Sequence, residues 1–292
     1  MKRLLPFCFL SIFIMSCSSD DDSAGGTIDR NDYFPVTPNA VWFYDFNQMN
    51  QGVNQSGNMI VDINGYEYFD NEAYQILDNT TYLIGGMNQL FFKKSLDKEI
   101  VIRPMIDFMG NFADFDDLNF ILNSMSRDAV LDETNKEIIG ETMMIPQNTS
   151  GITGTVTPKT SITIRNRHID KSNQMTVQGI NYQSITHQRI EYDIQMILEI
   201  DADLIVGSET VNITRQHELV GQQQYGELNV YLAKDVGIIK TEYDYSFRDL
   251  EMNSNINFGG ISMNIADFAP EILDFNNAVH MQGNASLNDI SL

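Results

Sequence analysis

Ile190-Glu191-Tyr192-Asp193-Ile194-Gln195-Met196-Ile197-Leu198-Glu199-Ile200 decides the fold. Apolar side chains at 190, 192, 194, 196, 198 and 200 alternate with Glu191, Asp193, Gln195 and Glu199, and only Ile197 interrupts the polar set. Successive strand residues point to opposite faces, so the stretch reads as a β-strand with one face buried. Ile239, Thr241, Tyr243, Tyr245 and Phe247 alternate with Lys240, Glu242, Asp244 and Ser246 in the same way. Shorter runs carry the signal at 59–63, 74–77, 90–94, 100–103, 162–167, 175–180, 211–215 and 228–232. Turn residues separate them at Asn64-Gly65, Gly85-Gly86, Asp97-Lys98 and Gly221. Strands as long as 190–200 belong to twisted sheets that curl. The pattern therefore predicts a mainly β fold, a curved antiparallel sheet forming a half-barrel or open barrel.

One region departs from the period of two. Phe115, Leu118, Leu122, Met125 and Ala129 recur at helical spacing behind Asp114, with Asp116 and Asp117 where a helix dipole favours negative charge. The spacing predicts a covering α-helix around 114–127. A second, short helix is expected over 270–280, with Pro270 in its first turn and Ile272, Phe275 and Val279 facing inward. Residues 33–280 read as a single β-rich domain, and the polar tail 281–292 as loosely held.

Ahead of this domain, Lys2 and Arg3 precede an apolar run from Leu4 to Met15 that reads as a secretory signal. Such a run is too short for a helix that needs about 20 residues to cross a bilayer. Ile14-Met15-Ser16-Cys17 resembles the lipobox of bacterial lipoproteins. The resemblance implies that residues 1–16 are removed and that Cys17 becomes an acylated N-terminus, joined to a membrane through its acyl chains. Residues 17–32 then form a lipidated tether whose small and charged composition cannot build a core. Ser18-Ser19-Asp20-Asp21-Asp22 resembles the acidic export signal of surface lipoproteins of Bacteroidota, and Asp22-Ser23-Ala24 matches an O-glycosylation pattern of that phylum. The likeness implies an outer-membrane protein facing outward. A merely solvated linker, with the protein on the periplasmic face, is the alternative.

Two further stretches resemble the same lipoproteins. Tyr33-Phe34-Pro35, followed by Trp42-Phe43-Tyr44, is similar to the start of their folded domains. Tyr231-Leu232-Ala233-Lys234-Asp235-Val236-Gly237 is similar to their C-terminal hairpin. Asn39 and Asp235 stand where the family tends to have glycine, and both residue types tolerate a left-handed backbone. Neither stretch contains a catalytic residue.

The chain has 18 basic and 40 acidic residues, a net charge of −22. Losing residues 1–16 would remove Lys2 and Arg3 and bring it to −24. A nucleic-acid partner is disfavoured, because such binding displaces counterions with cations. Both cysteines, Cys8 and Cys17, lie in the signal and lipobox, leaving no disulfide and no thiol chemistry. His168, His187, His217 and His280 show no ligand spacing and read as solvated, and neither Asp114-Asp116-Asp117 nor Asp201-Asp203 has the pattern of an EF-hand loop. No cofactor, metal or reaction is nominated. The leading expectation is a non-enzymatic binding or scaffolding role with an unidentified surface partner. The alternative is a carrier of a lipid or acyl chain in a cavity lined by Phe108, Met109, Phe112, Phe115, Phe120 and Met125, although the same residues would also fill a solid core.

Overall fold

The computed structural model describes residues 32–35, 40–85, 88–108, 111–122, 126–145, 152–247, 249–258, 261–267 and 280–291. The chain enters β1 (Val41–Asn50), turns at Gln51-Gly52 into β2 (Val53–Phe69), and returns as β3 (Glu72–Asp78). One helical turn, α1 (Thr81–Ile84), leads to β4 (Gln89–Lys94) and β5 (Ile100–Arg103). The small hairpin β6 (Met105–Phe108) and β7 (Asn111–Asp114) precedes β8 (Leu118–Ile121), β9 (Ala129–Ile139) and β10 (Met143–Ile145). Three long strands follow, β11 (Ile152–Val177), β12 (Ile180–Val206) and β13 (Glu209–Ala233). The chain closes with β14 (Gly237–Ser246), the hairpin β15 (Asn255–Phe258) and β16 (Ile261–Asn264), and β17 (His280–Ser291).

Thirteen strands form one antiparallel sheet in the order β10-β11-β12-β13-β14-β17-β1-β2-β3-β4-β5-β8, with β9 also paired to β11. The sheet rolls into a nearly closed barrel with one seam. Its inner face is the one the alternation marked: Ile190, Tyr192, Ile194, Met196, Leu198 and Ile200 are all at most 5% exposed. Side chains close the seam between β8 and the β9–β11 pair. Asn166 donates to the backbone oxygens of Asn119 (2.8 Å) and Phe120 (2.7 Å), and Asp132 accepts from the Asn119 backbone N–H (2.8 Å) and its side-chain amide (2.6 Å).

Several sequence expectations are corrected. The helix expected around 114–127 is not formed by its described residues: α1 is the only α-helix among the described residues, and β7, an irregular link and β8 occupy 111–121. Asp114 caps nothing; it takes a two-pronged contact from Arg103 at 2.8 and 2.7 Å, while Asp117 meets Lys93 and the Tyr74 hydroxyl. Those carboxylates serve neighbouring strands, and a short apolar run such as 118–121 satisfies either period. The expected second helix lies outside the described residues, apart from His280, which opens β17. The tail from Met281 to Ser291 is the central strand β17, paired to β14 on one side and β1 on the other. Asn64-Gly65 and Gly221 lie inside β2 and β13 beside register shifts, so they kink strands where turns were expected. Within 175–180 the chain reverses at Gln178-Gly179, making a hairpin tip of that run.

Candidate functional site

The two lipoprotein-like stretches meet at one end of the barrel. The indole N–H of Trp42 donates to the backbone oxygen of Val236 (2.9 Å), and the Tyr44 hydroxyl donates to that of Ile238 (2.7 Å). Asp235, whose φ of +60° is the left-handed turn expected of it, donates its backbone N–H to the Asp32 carbonyl at 2.6 Å. Lys94 binds both carboxylate oxygens of Asp32 and the carbonyl of Phe34, each at 2.7 Å, and the ring of Phe34 stacks on Trp42 with centroids 5.7 Å apart. Gly237 is required here, because its positive φ of 105° disfavours a side chain and a Cβ would sit 3.2 Å from the indole nitrogen. Burial pushes the Tyr44 hydroxyl pKa well above its ordinary value, so it stays a neutral donor. This junction fixes where the chain joins the barrel. Asn39 lies outside the described residues.

Among the described residues the barrel interior is lined by apolar side chains. A cavity of about 30 Å³ lies among Ile84, Leu90, Phe120, Ile164, Tyr192 and Val230. An acyl chain needs roughly ten times that space. Of the expected lining, Phe120 borders this cavity and Phe115 is buried at 1% exposure elsewhere in the core. Met109 and Met125, and the side chains of Phe108 and Phe112, lie outside the described residues. Among the described residues no helix covers the space they were expected to line, since β7, an irregular link and β8 occupy 111–121. Cys17 and the export stretch Ser18, Ser19, Asp20, Asp21 and Asp22 also lie outside the described residues.

Sequence reasoning missed Asn166. It is fully buried on the inner face, in the run Ile162, Ile164, Asn166, His168, where the apolar alternation turns polar. That switch was a readable signal, since a buried amide has to find partners, and here they are the carbonyls of β8. His168 and His217 are buried too, at 4% and 6% exposure, which corrects their solvated reading. Burial, helped by Lys171, holds the His168 imidazolium below its ordinary pKa of 6.5. His217 bonds the carbonyl of Asn253 at 2.7 Å, and His187 stacks on Tyr231 with centroids 4.2 Å apart. Both rings are therefore engaged in holding strands together.

On the outer face, strands β1, β2, β14 and β17 shape an open groove of about 340 Å³ lined by Asn47, Asn54, Glu242, Asp244, Gln282 and Asn284. Gly283 contributes to its floor, and a Cβ there would stand 2.5 Å from the Tyr243 hydroxyl. Amides and carboxylates make this a polar surface suited to hydrogen-bonding partners, unlike the apolar interior. Among the described residues, no three His, Asp or Glu side chains gather into a group able to hold a metal ion.

No family model and no curated protein matches the sequence. A protein from Parabacteroides distasonis, named as a lipoprotein and solved by crystallography, aligns at 12% identity and a TM-score of 0.32, over 90% of this chain and 100% of its own. A score that low carries no argument, so what is known of the fold rests on the strand pairing itself.

Proposed function

We propose that the chain is a lipid-anchored protein of the outer membrane, acylated at Cys17 and turned toward the cell exterior, with a non-enzymatic binding or scaffolding role. The lipobox at Ile14-Met15-Ser16-Cys17 carries this reading. The junction at Asp32 supports it, since a pinned entry point transmits an anchor's hold to the whole barrel. The small size of the cavity among the described core residues supports partners that meet the outside of the barrel. Metabolic labelling with a radioactive fatty acid tests the anchor: wild type takes up label and Cys17→Ala does not. Equal labelling of both would end the proposal. Proteinase added to intact cells degrades a surface-exposed barrel and spares a periplasmic one.

A further inference from the structure

The sequence holds a single Asn-Gly pair, Asn64-Gly65, and the fold leaves it outside both ladders of β2. Pairing with β1 ends at Asp62, and pairing with β3 skips from Ile63 to Tyr66, so neither residue has a register partner. Both are exposed, and Gly65 has a φ of +84° with nothing within 4 Å of where a Cβ would stand. Water therefore reaches the pair from the open side of a bulge. The side-chain amide of Asn64 donates to Asp78 Oδ2 at 3.3 Å, across the hairpin. Asp78 Oδ1 is held separately, by the backbone N–H of Asn79 at 3.0 Å and the Gln89 amide at 3.4 Å.

These are the conditions under which an asparagine loses its amide. The attacking group is the backbone nitrogen of the following residue, which closes a ring on the side-chain carbonyl carbon. A Cβ on that residue crowds the nitrogen, and a ladder on both sides holds the backbone in one extended conformation. Gly65 lacks the first and the bulge lacks the second. Asn284 gives the contrast. It is exposed too, but it is paired to Asn47 on one side and Glu242 on the other, and the fully buried Ala285 follows it.

We propose that Asn64-Gly65 is a site of spontaneous modification in the folded protein, passing through a succinimide to aspartate and isoaspartate. Solvent hydroxide takes the Gly65 N–H proton, the nitrogen bonds to Asn64 Cγ, and the Cγ–Nδ2 bond breaks, with water protonating the departing nitrogen to ammonia and restoring hydroxide. Water then opens the ring. Cleavage between the ring nitrogen and Cγ leaves aspartate, whereas cleavage between the nitrogen and the main-chain carbonyl carbon leaves isoaspartate, whose backbone is one carbon longer. Either product replaces a donor to Asp78 by a carboxylate, in a strand pair where Asp62 already stands opposite Asp78. Like charges facing each other across a pair are destabilising, so the product loosens the β2–β3 hairpin that carries the exposed Tyr66 and Tyr68.

The full-length protein is held folded at pH 8, sampled over days and digested with pepsin, whose acid conditions halt the reaction, and the peptides are read by mass spectrometry. The peptide containing Asn64 should gain the mass difference between amide and acid and split into two isomers on chromatography, while the peptide containing Asn284 keeps its mass. Gly65→Ala should slow the gain roughly tenfold, equivalent to about 1.4 kcal/mol of added barrier. Alanine is strained at that φ, so Asn64→Gln, which keeps an amide but places it one carbon further from the attacking nitrogen, serves as the second variant and should show no gain. A folded protein whose Asn64 peptide keeps its mass overturns the proposal, and a gain seen only in guanidinium would mean that the fold protects the pair. Equal rates at Asn64 and Asn284 would overturn it as well.

Discussion

Strand β12 ends in two hairpin tips of opposite character. At the near end, where Ala233 pairs with Ile185 beside the turn that holds Asp32, Val177, Tyr182 and Ile185 are buried, and the tip lies on the same end of the barrel as Phe34, which stacks on Trp42 and meets Phe92 edge-on. At the far end, Ile205 and Val211 are exposed, and Asn212 holds Asp201 and Asp203 from across the hairpin at 3.2 Å each. Exposed polar bonds contribute little against water. The near end is therefore fixed up to its tip by interior packing and hydrogen bonds between residues far apart in sequence, whereas at the far end the buried side chains stop at Ile152, Ile200 and Ala202 and the tip beyond them is held by its backbone ladder. One alternating strand serves both.

Trp42→Ala should break the near end with the largest effect. It removes a ring that is 1% exposed, the stack on Phe34 and the bond to Val236. The cost is about 3–5 kcal/mol, read as a lower urea midpoint at unchanged slope. A loss no larger than that of an exposed residue would show that the near end is not pinned.

Gly154→Ala should act next, at the far end. A Cβ there would lie 2.2 Å from the Asp201 carbonyl and 2.6 Å from the Cα of Ala202. Both are backbone atoms, so β11 and β12 must part, at about 1–3 kcal/mol. Gly179 in the near tip meets nothing within 4 Å, and its φ of +79° is the sole obstacle to a side chain. Gly179→Ala should cost only about 1 kcal/mol. Thermal melts of the pair measure how differently the two hairpins use glycine, and equal costs would remove the distinction.

How far the sequence disclosed this architecture varies with who supplies the apolar mass. Strand β12 brings its own, so its alternation is plain. Strand β17 does not. Its inward positions are Gly283, Ala285 and Leu287, and the Tyr243 ring from β14 lies against Gly283. A central strand filled by its neighbour looks like a polar tail in sequence. The false helix at 114–127 has the converse cause. Phe115 and Leu118 are buried as a helical stripe would be, but Asp114 and Asp117 hold Arg103 and Lys93 on adjacent strands, and no local signal specifies partners so distant. The junction residues Trp42 and Asp235 are each legible in the sequence, while their meeting depends on β17 lying between β1 and β14.

The pH dependence of stability tests the near end more finely. Native His168 resists a proton that the unfolded chain accepts near its ordinary pKa of 6.5. Protonation therefore favours unfolding, so the contribution is complete above that pH and declines as pH falls through it. Urea midpoints between pH 7.5 and 5 should fall less steeply for His168→Gln than for wild type. Parallel curves would mean that the imidazole is not held neutral by the fold.

The smallest effect is expected from Asp203→Asn at the far tip. Asp201 and Asp203 lie on one face of β12, and the asparagine would keep an oxygen to accept from Asn212. Removing one of two like charges should raise the melting midpoint by no more than about 1 °C at low salt. Because the pair is exposed, ions screen it, and the gain should vanish near 0.5 M salt, where the Debye length drops to about 4 Å. A gain that persists at high salt would mean the carboxylates are desolvated, and the far tip would then owe its order to packing, as the near one does.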